Sequence, residues 1–390
     1  MNKCPICFSD NLIQIAYLQD MPIFCNALFD AKEEALAIPK KNLNLNICSS
    51  CGHIFNIEFD QKALKYSAKY ENSLHFSSTF DQYANKLADY LIDKYNLKNK
   101  TIIDIGCRRG DFLKLLNSKV DCDFFGFDKS FSPDDTYQKE FKNVKFISDF
   151  YSSKYKDIIP DLILCRHVLE HVDFPREFLI EIIEANKDKS FNVIFEVPNS
   201  LWTLRDMGIW DLIYERFSYF SPSSLYYLFK AVGFKINSLK QIYNNQFLLI
   251  EASYNKPEDN IFEFNIYEEK QKVFEYANSF KKAYYEKVKY WKDILELLNK
   301  AEKKILIWGG GSKGVSFLNL FSRYYNADYV VDLNPRKHRK FIAGVGARFV
   351  HPNELPAINP DVIIIMNPVY KEEIEAELSK MKLHPQVLVA

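Results

Sequence analysis

The 390-residue sequence has no excess of charge of either sign: lysine plus arginine and aspartate plus glutamate each number 51. That balance leaves no electrostatic footprint for nucleic acid or for an acidic membrane surface. No apolar run approaches the roughly 18 residues that a membrane-spanning helix needs. Nor does Met1-Asn2-Lys3-Cys4 lead into the apolar region of a signal peptide. A cytoplasmic location is therefore expected, with neither nucleic acid nor membrane as a partner. With 47% hydrophobic and 26% charged residues the composition is that of an ordinary globular chain. Its length calls for two or three domains rather than one core.

Against these absences stand four cysteines in two close pairs, Cys4-Pro-Ile-Cys7 and Cys48-Ser-Ser-Cys51, with 40 residues between the pairs. Two thiolates three positions apart grip one side of a tetrahedral ion, and two such knuckles complete a four-cysteine site. That site keeps no open position for water or substrate, so it reads as structural zinc. A redox C-x-x-C would stand alone beside a thioredoxin-like pattern, which this sequence lacks. The other cysteines (Cys25, Cys107, Cys122 and Cys165) are scattered, as free thiols are in a reducing compartment. Residues 1–60, with short alternating stretches at Leu43–Ile47 and His53–Ile57, form a small unit that needs its metal to fold.

After an amphipathic stretch from Phe76 to Tyr95, an α/β rhythm sets in. Short apolar strands are expected at Thr101–Ile105, Asp123–Asp128, Val144–Ile147, Asp161–Cys165 and Phe191–Phe195, with helices from Gly110 and Pro175. Ser221 caps a further helix, and two strands near Phe234–Leu239 and Gln246–Ala252 close the sheet. Strands alternating with helices imply a parallel, doubly wound sheet over 61–256. Residues 257–302 read as a helical connector, one helix or a pair. A second, smaller Rossmann-like unit over 303–390 starts at Lys304–Trp308.

The turn Asp104-Ile-Gly106-Cys-Arg-Arg-Gly110 follows a strand and precedes a helix. Glycine there lets the backbone approach a ligand, and the helix N–H groups meet its polar end. Asp128 ends the next strand, where a carboxylate accepts from two ribose hydroxyls. Asp149 ends the third, placed for an adenine amino group. Arg108 and Arg109 either hold the cofactor's carboxylate or stay solvated. The D-x-G-x-x-x-G form resembles the S-adenosylmethionine motif of class I methyltransferases more than the dinucleotide G-x-G-x-x-G. Arg166-His167-Val-Leu-Glu170-His171 also resembles the methyltransferase pattern after the fourth strand.

Zinc knuckles, methyltransferase unit and second Rossmann-like unit, in that order, resemble the nucleotide-sugar C-methyltransferases of deoxysugar biosynthesis. Tyr70-Glu-Asn-Ser-Leu-His-Phe-Ser-Ser78, Phe195-Glu-Val-Pro198, Asp211-Leu-Ile-Tyr-Glu-Arg-Phe-Ser-Tyr-Phe220 and Trp308-Gly-Gly-Gly-Ser-Lys-Gly314 carry the likeness with the knuckles and the cofactor motif. The resemblance implies an α/β class I methyltransferase fold, S-adenosylmethionine held by Asp104, Gly106, Gly110, Asp128, Asp149 and His167, and a 4-keto nucleotide sugar as substrate. It implies proton removal beside the ketone and methylation of the resulting enolate carbon. The family's basic histidine falls here on Arg216, and arginine stays protonated. Either Tyr70, His171, Tyr214 or Glu215 takes the proton, or an oxygen or nitrogen is methylated and Arg216 grips an anionic group. An NAD-dependent oxidoreductase and a nucleotide-sugar binding protein are the readings from other classes. Gly309-Gly310-Gly311 with Asp332 suits a substrate-supporting role, a purely packing role or a second nucleotide site. A monomer is expected.

Overall fold

A computed structural model describes residues 3–64, 70–131, 143–256, 262–325 and 327–390. Its strands assemble into three sheets. The N-terminal sheet runs β1 (Leu12–Pro22), β2 (Lys40–Cys48), β3 (Ile54–Asn56) and then β9 (Ser218–Tyr219), antiparallel throughout. The second knuckle occupies the β2–β3 turn, where Gly52 at φ +75° donates to the Cys48 carbonyl. No alternating pattern announced β1, because register shifts at Gln14/Ala16 and Leu18/Met21 break its period of two. The fourth strand comes from far outside residues 1–60, so the zinc unit expected from sequence does not own its whole sheet.

The central sheet has the order β10 (Lys235–Ile242), β11 (Phe247–Tyr254), β8 (Phe191–Pro198), β7 (Leu162–Arg166), β4 (Thr101–Ile105), β5 (Asp123–Phe127), β6 (Val144–Ile147). Five neighbours from β8 to β6 run parallel; β11 is antiparallel to both of its neighbours. Alternate residues serve opposite faces. Ile102, Phe124, Leu162 and Leu164 pack under the helices Ser78–Tyr95 and Asp111–Asn117. Ile103, Ile163, Val193 and Phe195 pack under Pro175–Glu184 and Pro222–Ala231. Each such side chain contributes about 1.5–3 kcal/mol. Ser221 does cap its helix, in a reciprocal box with Ser224. This is the α/β class I methyltransferase fold expected above.

The C-terminal sheet is parallel: β14 (Arg348–Val350), β13 (Tyr329–Val331), β12 (Ile305–Trp308), β15 (Val362–Ile365), β16 (Gln386–Val389). The connector is one helix, Ile266–Lys300, of 35 residues. Its buried stripe of Val273, Ala277, Phe280, Tyr284, Trp291 and Leu295 joins one core with β1 and with the C-terminal helix Ser312–Phe321. The helix is therefore a strut between the outer units.

Polar contacts tie the C-terminal unit to the central one. Glu373 accepts from Ser77 Oγ at 2.7 Å and from the Ser78 and Thr79 N–H groups at 2.9 and 3.2 Å, which caps the helix Ser78–Tyr95. Arg336 and Asn334 hold Glu71. Among the described residues no helix is long and apolar enough to cross a membrane.

Candidate active site

The four knuckle sulfurs lie within 4.8 Å of one another, with Cys4–Cys51 at 3.6 Å and Cys7–Cys48 at 3.4 Å. A tetrahedral ion with bonds of about 2.3 Å to sulfur would set the edges near 3.8 Å. The cluster is thus compatible with a zinc site. His53 stands beside it but is fully buried, bonded to Ser218 Oγ, and driven by burial down to about 3. It is not part of the sulfur group.

In the first glycine-rich turn, Gly106 and Gly110 have φ of +75° and +71°. A Cβ on Gly106 would stand 2.2 Å from Val168, and one on Gly110 2.6 Å from Phe146, so both positions require glycine. Asp128 reaches back from β5 to accept the Arg108 N–H at 2.9 Å and also accepts from Ser130. It thereby fixes the turn's curvature. Asp104, buried at the end of β4, is raised to about 7 by desolvation, with Arg166 opposing. Gly110, Asp128 and Asp149 do not line the cavity that Gly106 borders; Asp149, just past the end of β6, accepts from Lys154, Tyr155 and the Phe150 N–H.

That cavity, of about 330 Å³, opens between all three units. Asn26 enters from the N-terminal unit, Gly106, Arg108, His167, His171 and Arg216 from the central one, and Gly309, Gly311 and Lys313 from the C-terminal one. Tyr70 also lines it, with the Arg108 guanidinium 4.1 Å from its ring centroid. The Tyr70 hydroxyl accepts from Asn26 and donates to Glu215 Oε2 at 3.1 Å. Behind Tyr70, Glu215 is fully buried, accepts the Cys25 N–H, and is raised to about 7 by burial. Glu215 thus anchors Tyr70 and does not itself face the cavity. Tyr214 is taken away altogether. Its hydroxyl accepts from Asp60 N and donates to the Glu58 carbonyl, and its ring stacks on Phe59 in the core under the N-terminal sheet.

His171 Nδ1 lies 2.8 Å from the Glu215 carbonyl. A carbonyl only accepts, so Nδ1 carries the proton and Nε2 is the basic nitrogen of the neutral ring. Burial lowers the His171 pKa, opposed by Glu170, whose Oε1 is 3.9 Å from Nε2. His167 behaves oppositely. Burial disfavours its charge, yet Glu196 at 2.8 Å from Nε2, helped by Glu170, raises it to about 9. Glu196 is shared with Arg166 at 2.8 Å, so His167 belongs to a buried ionic triad. Arg216 is gripped by Asp211, with Nη1 at 2.6 Å and Nη2 at 3.3 Å from its carboxylate oxygens.

Glu170, Glu196, Asp211 and Lys313 were not singled out from sequence. Each lies inside a stretch that was: the segment after β7, Phe195–Pro198, the Asp211–Phe220 run and the second glycine-rich turn. In that second turn Gly310 N–H and Lys337 both donate to Asp332. A Cβ on Gly310 would meet Phe349 at 2.1 Å, and one on Gly314 the Gly309 carbonyl at 2.2 Å. Packing therefore accounts for these two glycines.

Residues 76–239 match the family model of a methyltransferase domain. Residues 246–387 match that of a C-methyltransferase C-terminal domain. No curated protein matches. Solved structures similar in part include a SAM-dependent methyltransferase from Aquifex aeolicus (15% identity, 44% of this chain and 97% of that one, TM-score 0.33). Another is the magnesium protoporphyrin IX methyltransferase from Synechocystis PCC 6803 with bound SAH (14% identity, 45% and 83%, TM-score 0.35). A third is the CurJ carbon methyltransferase (10% identity, 45% and 55%, TM-score 0.35). On the two domain matches, the chain is an S-adenosylmethionine-dependent methyltransferase with a C-methyltransferase domain.

Proposed function

We propose that this enzyme methylates a carbon next to the ketone of a nucleotide-linked deoxysugar, with His171 as the base. The observation that carries the reading is the His171 Nδ1 contact to the Glu215 carbonyl, which makes Nε2 basic in a cavity-lining, neutral imidazole. The other candidates fall away on chemistry. Arg216 stays charged against Asp211. Burial pushes the Tyr70 hydroxyl up, so it remains a donor. Glu215 and Tyr214 do not line the cavity.

S-adenosylmethionine supplies an electrophilic methyl on sulfur. The turn at Gly106 and Gly110 would take it, with its ribose on Asp128, its adenine near Asp149 and its charged end near Asp104 and His167. His171 Nε2 takes the proton from the carbon beside the ketone, and the bonding pair moves onto the carbonyl oxygen. The enolate carbon would be the nucleophile for the methyl of a bound S-adenosylmethionine, whose carbon–sulfur bond would break toward sulfur. Glu170 steadies the imidazolium so formed. Zinc on Cys4, Cys7, Cys48 and Cys51 serves the fold. A nucleotide sugar suits a cavity shared by two α/β units, in keeping with the sequence resemblance.

The test is direct. Enzyme, methyl-labelled cofactor and a 4-keto deoxysugar linked to a nucleoside diphosphate are incubated, and NMR locates the label. A new carbon–methyl bond is expected; label on oxygen or nitrogen would overturn the proposal.

A further inference from the structure

We propose that Lys313, carried by the C-terminal unit, is the catalytic donor to the oxyanion that forms when the substrate is deprotonated. The proposal rests on the C-methylation reading, since that reaction creates a negative oxygen the ground state lacks. Lys313 lines the same cavity as His171 and the cofactor turn. Among the other cavity-lining cations, Arg166 has Glu196, Arg216 has Asp211 and Lys337 has Asp332, while Arg108 lies over the Tyr70 ring. Lys313 has none among the described residues. Its ammonium donates to the neutral Gln246 Oε1 at 2.7 Å and lies 4.9 Å from the Trp202 ring centroid. The nearby Asp211 carboxylate is already clasped by Arg216.

Two further features leave this ammonium poorly stabilised until an anion arrives. Lys313 is the second residue of the helix Ser312–Phe321, whose first turn carries no acidic residue and whose N-cap is Gly311. A cation at a helix N-terminus is disfavoured until an anion arrives. Burial also pushes the amine down to about 8, with Asp211 holding it up and Arg216 holding it down. An ammonium has three N–H donors, and Gln246 occupies one. Such a group gains most when negative charge appears beside it, which places its effect in the transition state. In the balanced step, the carbon–hydrogen bond breaks to His171, its electron pair becomes the enolate, and Lys313 hydrogen-bonds the enolate oxygen without transferring its proton.

The test uses the whole enzyme, a 4-keto deoxysugar linked to a nucleoside diphosphate, and two variants, K313M and K313R. With S-adenosylhomocysteine bound, exchange of the proton beside the ketone is followed by NMR in D2O, separately from methyl transfer. K313M should keep the wild-type affinity for S-adenosylhomocysteine, lose about 100-fold or more in exchange rate and in kcat, and leave KM within about 3-fold. K313R should recover part of kcat and move the alkaline limb of the kcat profile upward from near pH 8. Wild-type exchange in K313M overturns the role. So does a raised KM at unchanged kcat, which would assign Lys313 to a permanent anion such as a phosphate. Should K313M not fold, an unmoved alkaline limb in K313R overturns it. If the wild-type enzyme itself neither exchanges the proton nor methylates carbon, the C-methylation reading fails first, and this role with it.

Discussion

At the scale of the residue, the site is governed by proton affinities set by burial. Asp104 and Glu215 are raised to about 7 by desolvation, so the fold binds their protons more tightly than the unfolded chain does. Their contribution to stability is complete below the ordinary carboxylate range and is lost as pH rises through about 7. His167, raised to about 9 by Glu196 against its burial, contributes fully below the ordinary imidazole value and fades as pH passes about 9. Glu196 and Asp211 are held low by their arginine partners despite burial, so their contributions are present above the ordinary carboxylate range and vanish in acid. Ligand-free enzyme should therefore melt at least about 2 °C lower at pH 8 than at pH 6 by calorimetry. A melting temperature that rises over that interval would contradict these assignments.

Elements carry the next level. Both glycine-rich turns use one device: a carboxylate from the following strand, Asp128 or Asp332, accepts a backbone N–H of the turn, from Arg108 or Gly310. In the second turn Gly314 has no room for a side chain, since a Cβ would stand 2.2 Å from the Gly309 carbonyl. Gly314→Ala should cost at least about 2 kcal/mol by urea denaturation, because backbone has to move. An unchanged midpoint would show that the turn yields easily. The turns and parallel strands were legible because apolar runs, glycines and strand-end acids repeat at local spacing. β9 was not, because two residues become a strand only when β3, more than 160 positions away, lies alongside. Tyr214 misled for a related reason. Of its neighbours in sequence, Arg216 lines the cavity and Glu215 holds Tyr70 from behind, but the Tyr214 side chain itself turns into the N-terminal core. Lys313 was invisible as a partner of Gln246 because pattern within one unit does not reveal what two units place together.

At the scale of the whole molecule, the cysteine cluster is joined to the cavity by few residues. β3 follows the second knuckle and pairs with β9, which begins two residues after Arg216. Stripping metal with a strong chelator should therefore lower the melting temperature and methyl transfer together, with about one zinc released per chain by atomic absorption. Metal-free protein that melts and turns over like the untreated enzyme would remove the metal from this account. A last consequence concerns timing. Glu373 caps the helix at Ser77, yet it lies 296 positions later in the chain. At a ribosomal pace of about 5–20 residues per second, the carboxylate emerges roughly 15–60 s after the helix it caps. During synthesis, the front helix of the catalytic unit spends that interval without its anion, and the C-terminal unit completes a neighbour that began to fold before it.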